Sequence, residues 1–228
     1  MRRILLFAAM LIGGSSFAQE PAWKSKPIEQ WSAEDAKALL ADSPWVKHVA
    51  PLRVRDLSAD ERLMGGNMEA GIGKAVGLAG TGLFGPTREA LAKERAHYKP
   101  RPDPVMVRWE SGPVRAAEQK AGETAPAVSD QYYAVVVYGI PLPRRWNLAR
   151  ELKGIAYLRR YRKKDLKPSR VEILRGEDGL ATLVYLFRRS VEITRREQSV
   201  EFVAQIDRLF LEQFFDVKQM WFMGQLEL

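Results

Sequence analysis

The chain contains no cysteine and only two histidines, His48 and His97. Disulfides, thiolate metal sites and a cysteine nucleophile are therefore excluded. Two histidines far apart in sequence offer little to a metal centre or to a serine triad. No Gly-x-Ser-x-Gly elbow or calcium-type Asp/Asn/Gly loop is present either. Both histidines read as surface or packed residues, and no metal or cofactor is expected. Carboxylates adjacent in sequence, Glu34/Asp35 and Glu177/Asp178, fall at a helix start and a tight turn, where capping and turn chemistry account for them. A catalytic pair of carboxylates distant in sequence stays open, because such pairing is spatial. Long apolar runs are lacking too: Ile4 to Ile12 is about half of the roughly 20 residues a membrane helix needs.

That short run belongs to an address. Arg2 and Arg3 precede it, and Ser16-Phe17-Ala18 follows as a small-x-small cleavage site, so residues 1–18 read as a secretory signal peptide. The mature chain is expected to start near Gln19 and to be exported, periplasmic or secreted. It is expected to carry no transmembrane span and to be peripheral to a membrane at most.

Charge is unevenly placed. The formal net charge is +8, yet Arg144 to Arg196 holds 16 Lys and Arg against 6 Asp and Glu, a local +10, whereas residues 197–228 hold 2 against 6, a local −4. A clustered positive field favours polyanions and anionic surfaces. The candidate contact residues are Arg144, Arg145, Arg159, Arg160, Arg162, Lys163, Lys164 and Lys167, with Trp146, Tyr157 and Tyr161 nearby. Export argues against nucleic acid as the partner and leaves anionic envelope lipid or polysaccharide. The plainer alternative is a solvated basic face whose aliphatic stems cover apolar neighbours.

Periodicity supplies the elements. Residues 19–30 read as an extended polar leader. Ser32 with Asp35 three positions on predicts a capping box opening a helix over 32–42, stopped by Pro44. Val46–Leu57 alternates apolar and basic residues as a strand with one wet face does. Val105–Glu110 and Gln131–Tyr138 predict strands, and 112–120 a short helix between them. Trp146–Tyr161 predicts a basic helix, with Leu148, Leu152 and Ile155 on one stripe. From Ser169 onward short apolar alternations predict a C-terminal β-meander, with Glu177-Asp178-Gly179 as a hairpin turn and Asp216-Val217-Lys218 as the last turn.

Eight of the 17 glycines lie in residues 65–85. Gly71-x-Gly73-Lys74 matches neither a P-loop nor a dinucleotide fingerprint. Gly73, Gly77, Thr81 and Gly85 recur every four residues, so two readings stand side by side: a glycine-rich surface loop, and a small-residue ridge for helix pairing or lipid contact over 70–85. A charged helix over Thr87–His97 and the linker Lys99–Pro104 follow.

At Asp42-Ser-Pro-Trp45, Val107-Arg-Trp-Glu-Ser111 and Gly224-Gln-Leu-Glu-Leu228, with Trp31-Ser32 ahead of the first helix, the sequence resembles a family of secreted proteins of acidobacterial-type soil bacteria. That family has no assigned activity. The resemblance implies secretion and a shared fold, and carries over no catalytic or binding residue.

The expected architecture is α+β. It comprises a mainly antiparallel sheet of about six to eight strands with a C-terminal β-meander, one or two helices packed on it (one over 146–161), and an N-terminal helical arm. The expected organisation is signal peptide 1–18, arm 19–64, glycine-rich insertion with helix and linker 65–104, and main domain 105–228. The leading functional expectation is an exported non-catalytic envelope protein binding an anionic surface through the basic block. An exported hydrolase with an unrecognised carboxylate site and a membrane-associated protein using residues 70–85 are the alternatives.

Overall fold

The computed structural model describes residues 20–53, 103–142 and 149–228. The signal segment, the glycine-rich stretch, the helix expected at Thr87–His97, His97, Arg144 and Arg145 lie outside these residues.

The fold is α+β and its sheets are antiparallel. Eleven strands form among the described residues: β1 (Val46–Val49), β2 (Leu52–Arg53), β3 (Val105–Glu110), β4 (Tyr132–Pro141), β5 (Ala156–Arg160), β6 (Arg170–Arg175), β7 (Leu180–Arg188), β8 (Ser199–Ile206), β9 (Leu209–Asp216), β10 (Trp221–Phe222) and β11 (Gln225–Leu226). One sheet runs β1-β3-β4-β7-β6 and a second β2-β9-β8-β5, with β10-β11 as a separate ribbon. The single sheet expected from the sequence is therefore two. The C-terminal meander is two hairpins, β6–β7 and β8–β9, placed in different sheets. Alternation within a strand reports which side chains share a face but not which sheet the strand joins.

The sheets meet through aromatic side chains. Trp109 of β3 packs edge-on against Phe215 of β9 at 5.3 Å between centroids, and Tyr185 of β7 against Phe202 of β8 at 5.2 Å. All four are buried, so large aromatic areas hold the interface between the sheets. Gly139, at φ +74°, marks the register shift between β4 and β7, a backbone conformation that a side chain resists.

Among the described residues four α-helices accompany the sheets: α1 (Ala22–Ser25), α2 (Ala33–Ala41), α3 (Gly112–Ala121) and α4 (Ala149–Gly154). The capping box at α2 forms as expected: Asp35 N–H donates to Ser32 Oγ at 3.1 Å, and Ser32 N–H donates to Asp35 Oδ2 at 3.0 Å. The leader is not extended throughout; it contains α1 and a 3-10 turn at Ile28–Gln30. α2 packs on α3, and the arm's Trp31 and Trp45 lie in the same core as both sheets.

The basic helix over 146–161 is the main correction. Among the described residues of that stretch, from 149 on, Ala149–Gly154 is helical and Ala156–Arg160 is a strand. Ala156 and Leu158 face the inter-sheet core, while Tyr157 is buried on the opposite face with Ile155, Val203 and Phe210. A strand covered on both sides loses its polar alternation, and Leu152 to Ile155 then imitates a helical stripe. The hairpin turn at Glu177–Gly179 is where the sequence placed it: Leu180 N–H donates to Asp178 Oδ1 at 2.9 Å. The turn at 217–219 is followed by a further one, Met223-Gly224, both at positive φ as a two-residue hairpin loop requires.

Candidate functional site

Strand β5 carries two of the proposed cations and divides them. Arg159 and Arg160 are consecutive, so they point to opposite faces. On the outer face of the second sheet, Arg159 Nη1 donates to Glu201 Oε2 at 2.7 Å and lies 4.0 Å from Glu212 Oε1. Its Nη2 donates to the Tyr157 hydroxyl at 2.5 Å. The register explains the first contact, because Arg159 and Glu201 are direct partners across β5 and β8. Toward the other face, Arg160 lies buried, with Nε 3.5 Å from Glu197 Oε2. The same carboxylate accepts a 2.8 Å bond from Lys163 Nζ.

Local +10 and local −4 in the sequence thus become ion pairs in space. Glu197, Glu201 and Glu212 come from the acidic C-terminal segment and lie against Arg159, Arg160 and Lys163. The expected eight-residue surface is correspondingly smaller. Arg162, Lys164 and Lys167 remain exposed, with Arg162 over the Tyr161 ring at 5.1 Å and Lys167 Nζ 5.5 Å from the Tyr157 ring. Tyr161 is 70% exposed, and Arg162 holds φ +54° at the turn leaving β5. A large aromatic ring left in solvent between cations is the least expected surface feature of this loop.

Beside Arg159, burial pushes the Glu201 carboxyl up to about 8, and its hydrogen bond with Glu212 adds to the rise. Burial also raises Asp165 and Tyr157. A second ionisable cluster lies beneath α3. Arg108 Nη1 donates to Glu118 Oε1 at 3.0 Å and to Glu123 Oε2 at 2.7 Å. The Tyr138 hydroxyl donates to Glu118 Oε1 at 3.1 Å and lies 3.5 Å from Glu110 Oε1. Burial and the neighbouring Glu118 push Glu110 up to about 8, and burial raises Glu118 as well. Arg108, Glu110 and Glu118 are all buried. The cluster therefore holds a guanidinium among carboxylates beneath α3 and meets solvent through the part-exposed Glu123.

Among the described residues no three His, Cys, Asp or Glu side chains are grouped to hold a metal. His48 is exposed, with Nε2 3.2 Å from the Ala41 carbonyl. Neither carboxylate cluster is legible in the sequence: Glu201 and Glu212 meet Arg159 through strand register, and Glu110 meets Glu118 only when α3 packs over β3 and β4. No helix among the described residues is long and apolar enough to cross a membrane.

Comparison with protein-family models, with curated proteins and with solved structures gave no match.

Proposed function

We propose that this is an exported, non-catalytic envelope protein that docks on an anionic lipid surface through the loop from Tyr161 to Lys167. The observation that carries this reading is Tyr161 itself, 70% exposed and followed directly by Arg162, Lys163 and Lys164. An aromatic ring is at home at the headgroup level, and each cation near an anionic surface adds about 1 kcal/mol. The ion pairs around Arg159 and Arg160 then act as the scaffold that holds this loop out from β5. The signal-like start and the resemblance to secreted proteins support the location.

Fractionation of native cells tests it. The protein is expected in the membrane pellet, released by a high-salt wash, because charge contacts are screened within about 3 Å at 1 M salt. Appearance only in the soluble fraction at low salt overturns the reading.

A second reading, an exported hydrolase, is favoured by one observation: Glu201 and Glu212 are hydrogen-bonded with Arg159 beside them, one carboxyl raised to about 8. A carboxyl of raised proton affinity beside a second carboxyl is part of the equipment of acid–base hydrolysis. Loss of a measured glycan-hydrolysing activity in both E201Q and E212Q, with folding kept, is the result that supports it.

A further inference from the structure

An open groove runs between the N-terminal arm and the turn after β9, away from the Tyr161 loop. Its first part, about 620 Å³, is lined by Lys24, Lys47 and Lys218 and by the indoles of Trp23 and Trp221. Pro44, Lys47, Lys218 and Gln219 also line a second hollow of about 430 Å³, so the groove continues to Phe214, which is 57% exposed. The three lysines come from α1, β1 and the 217–219 turn, and only folding brings them together.

Their charges are available. Lys47 Nζ is held by the Ser43 carbonyl at 2.9 Å, which fixes the ammonium without neutralising it. Lys24 and Lys218 are exposed and make no ion pair among the described residues. Of the two acids in the groove, Asp216 accepts at Oδ1 from the Lys218 N–H and at Oδ2 from Gln219 Nε2, each at 2.9 Å, which orients its carboxylate and leaves its charge in place. Asp42 is the other. Arg195 lies over the Trp221 ring at 4.2 Å and adds positive charge at that end.

We infer that this groove binds a linear glycan bearing carboxylate groups. Ammonium groups fixed or free along a shallow channel take carboxylates, and the combination of aromatic walls with a few polar groups is the usual make-up of a ligand cleft. The two indoles decide between polyanions. Their flat apolar faces suit the C–H face of a sugar ring, whereas an acidic peptide offers charge but no matching ring. Two consecutive hollows fit more than one sugar unit in a row.

Affinity electrophoresis through gels containing polygalacturonate, dextran or polyglutamate tests the inference. Polygalacturonate is expected to retard the wild-type protein and dextran to leave it unaffected. K24Q/K218Q is expected to weaken the retardation at least tenfold, since two charge-assisted hydrogen bonds are lost. Both lysines are exposed, so an unchanged urea midpoint is expected to accompany that loss. Y161A/R162Q/K164Q is expected to bind the glycan like the wild type, which separates this groove from the lipid-docking loop. Three results overturn the inference: no retardation by polygalacturonate, equal retardation by polyglutamate, or wild-type behaviour of K24Q/K218Q.

Discussion

Trp45 Nε1 donates a 2.7 Å hydrogen bond to the backbone carbonyl of Glu227, 182 positions away. Trp45 is fully buried, and its own carbonyl accepts from Trp109 N–H at 2.7 Å. One residue therefore ties the N-terminal arm to β3 through its backbone carbonyl and to Glu227 through its indole. W45F removes the donor, leaves a carbonyl without its partner and opens a small void. It is expected to cost about 1–3 kcal/mol in a urea unfolding titration. An unchanged midpoint contradicts the role given to this bond.

Arg108 is expected to be the most sensitive polar position. It is the guanidinium facing buried Glu118, so R108M strands a charge in the interior and is expected to cost about 3–5 kcal/mol. Adding E118Q removes the stranded charge and is expected to recover part of the loss. A double-mutant cycle by urea unfolding checks this, and strict additivity of the two changes is the contrary result.

The raised carboxyls make stability depend on pH. Glu110 and Glu201 move from the ordinary 4.5 up to about 8 on folding, through burial first. The folded protein then holds more protons than the unfolded chain between those values. Stability is expected to fall as pH rises through about 4.5 to 8 and to level off above. Asp35, lowered by its bonds to the Ser32 backbone and Lys26, acts in the opposite sense and only at the acid end. Urea midpoints at several pH values, for wild type and for E110Q, measure the effect. The amide cannot ionise, so E110Q is expected to show the shallower slope, and parallel curves sink the assignment.

Local chemistry was the most legible part of the sequence. Ser32 and Asp35 marked the start of α2 because capping needs only four consecutive residues, and Val105–Glu110 read as a strand because one β-rich run sufficed. The two-sheet arrangement was not legible, since Val200–Ile206 alternates alike in any sheet. Tyr157 to Arg160 was misread for a sharper reason. Burial on both faces erased the alternation, and arginine there signalled a solvated helix, although Glu197 and Glu201 supply the missing counter-charges. The basic block itself was visible in composition. That Arg159, Arg160 and Lys163 face acidic partners became visible only with β5 set beside β8.

Lipid docking rests on Arg162, Lys164 and Lys167, which are exposed in the loop after β5. Co-sedimentation with vesicles containing anionic lipid, compared with neutral vesicles, tests it most directly. The wild-type protein is expected to bind anionic vesicles at low salt and to be released near 1 M salt. R162Q/K164Q/K167Q removes three exposed charges, about 3 kcal/mol or roughly a hundredfold in affinity. Wild-type binding by that variant, or no binding of the wild type to anionic vesicles at low salt, contradicts the account.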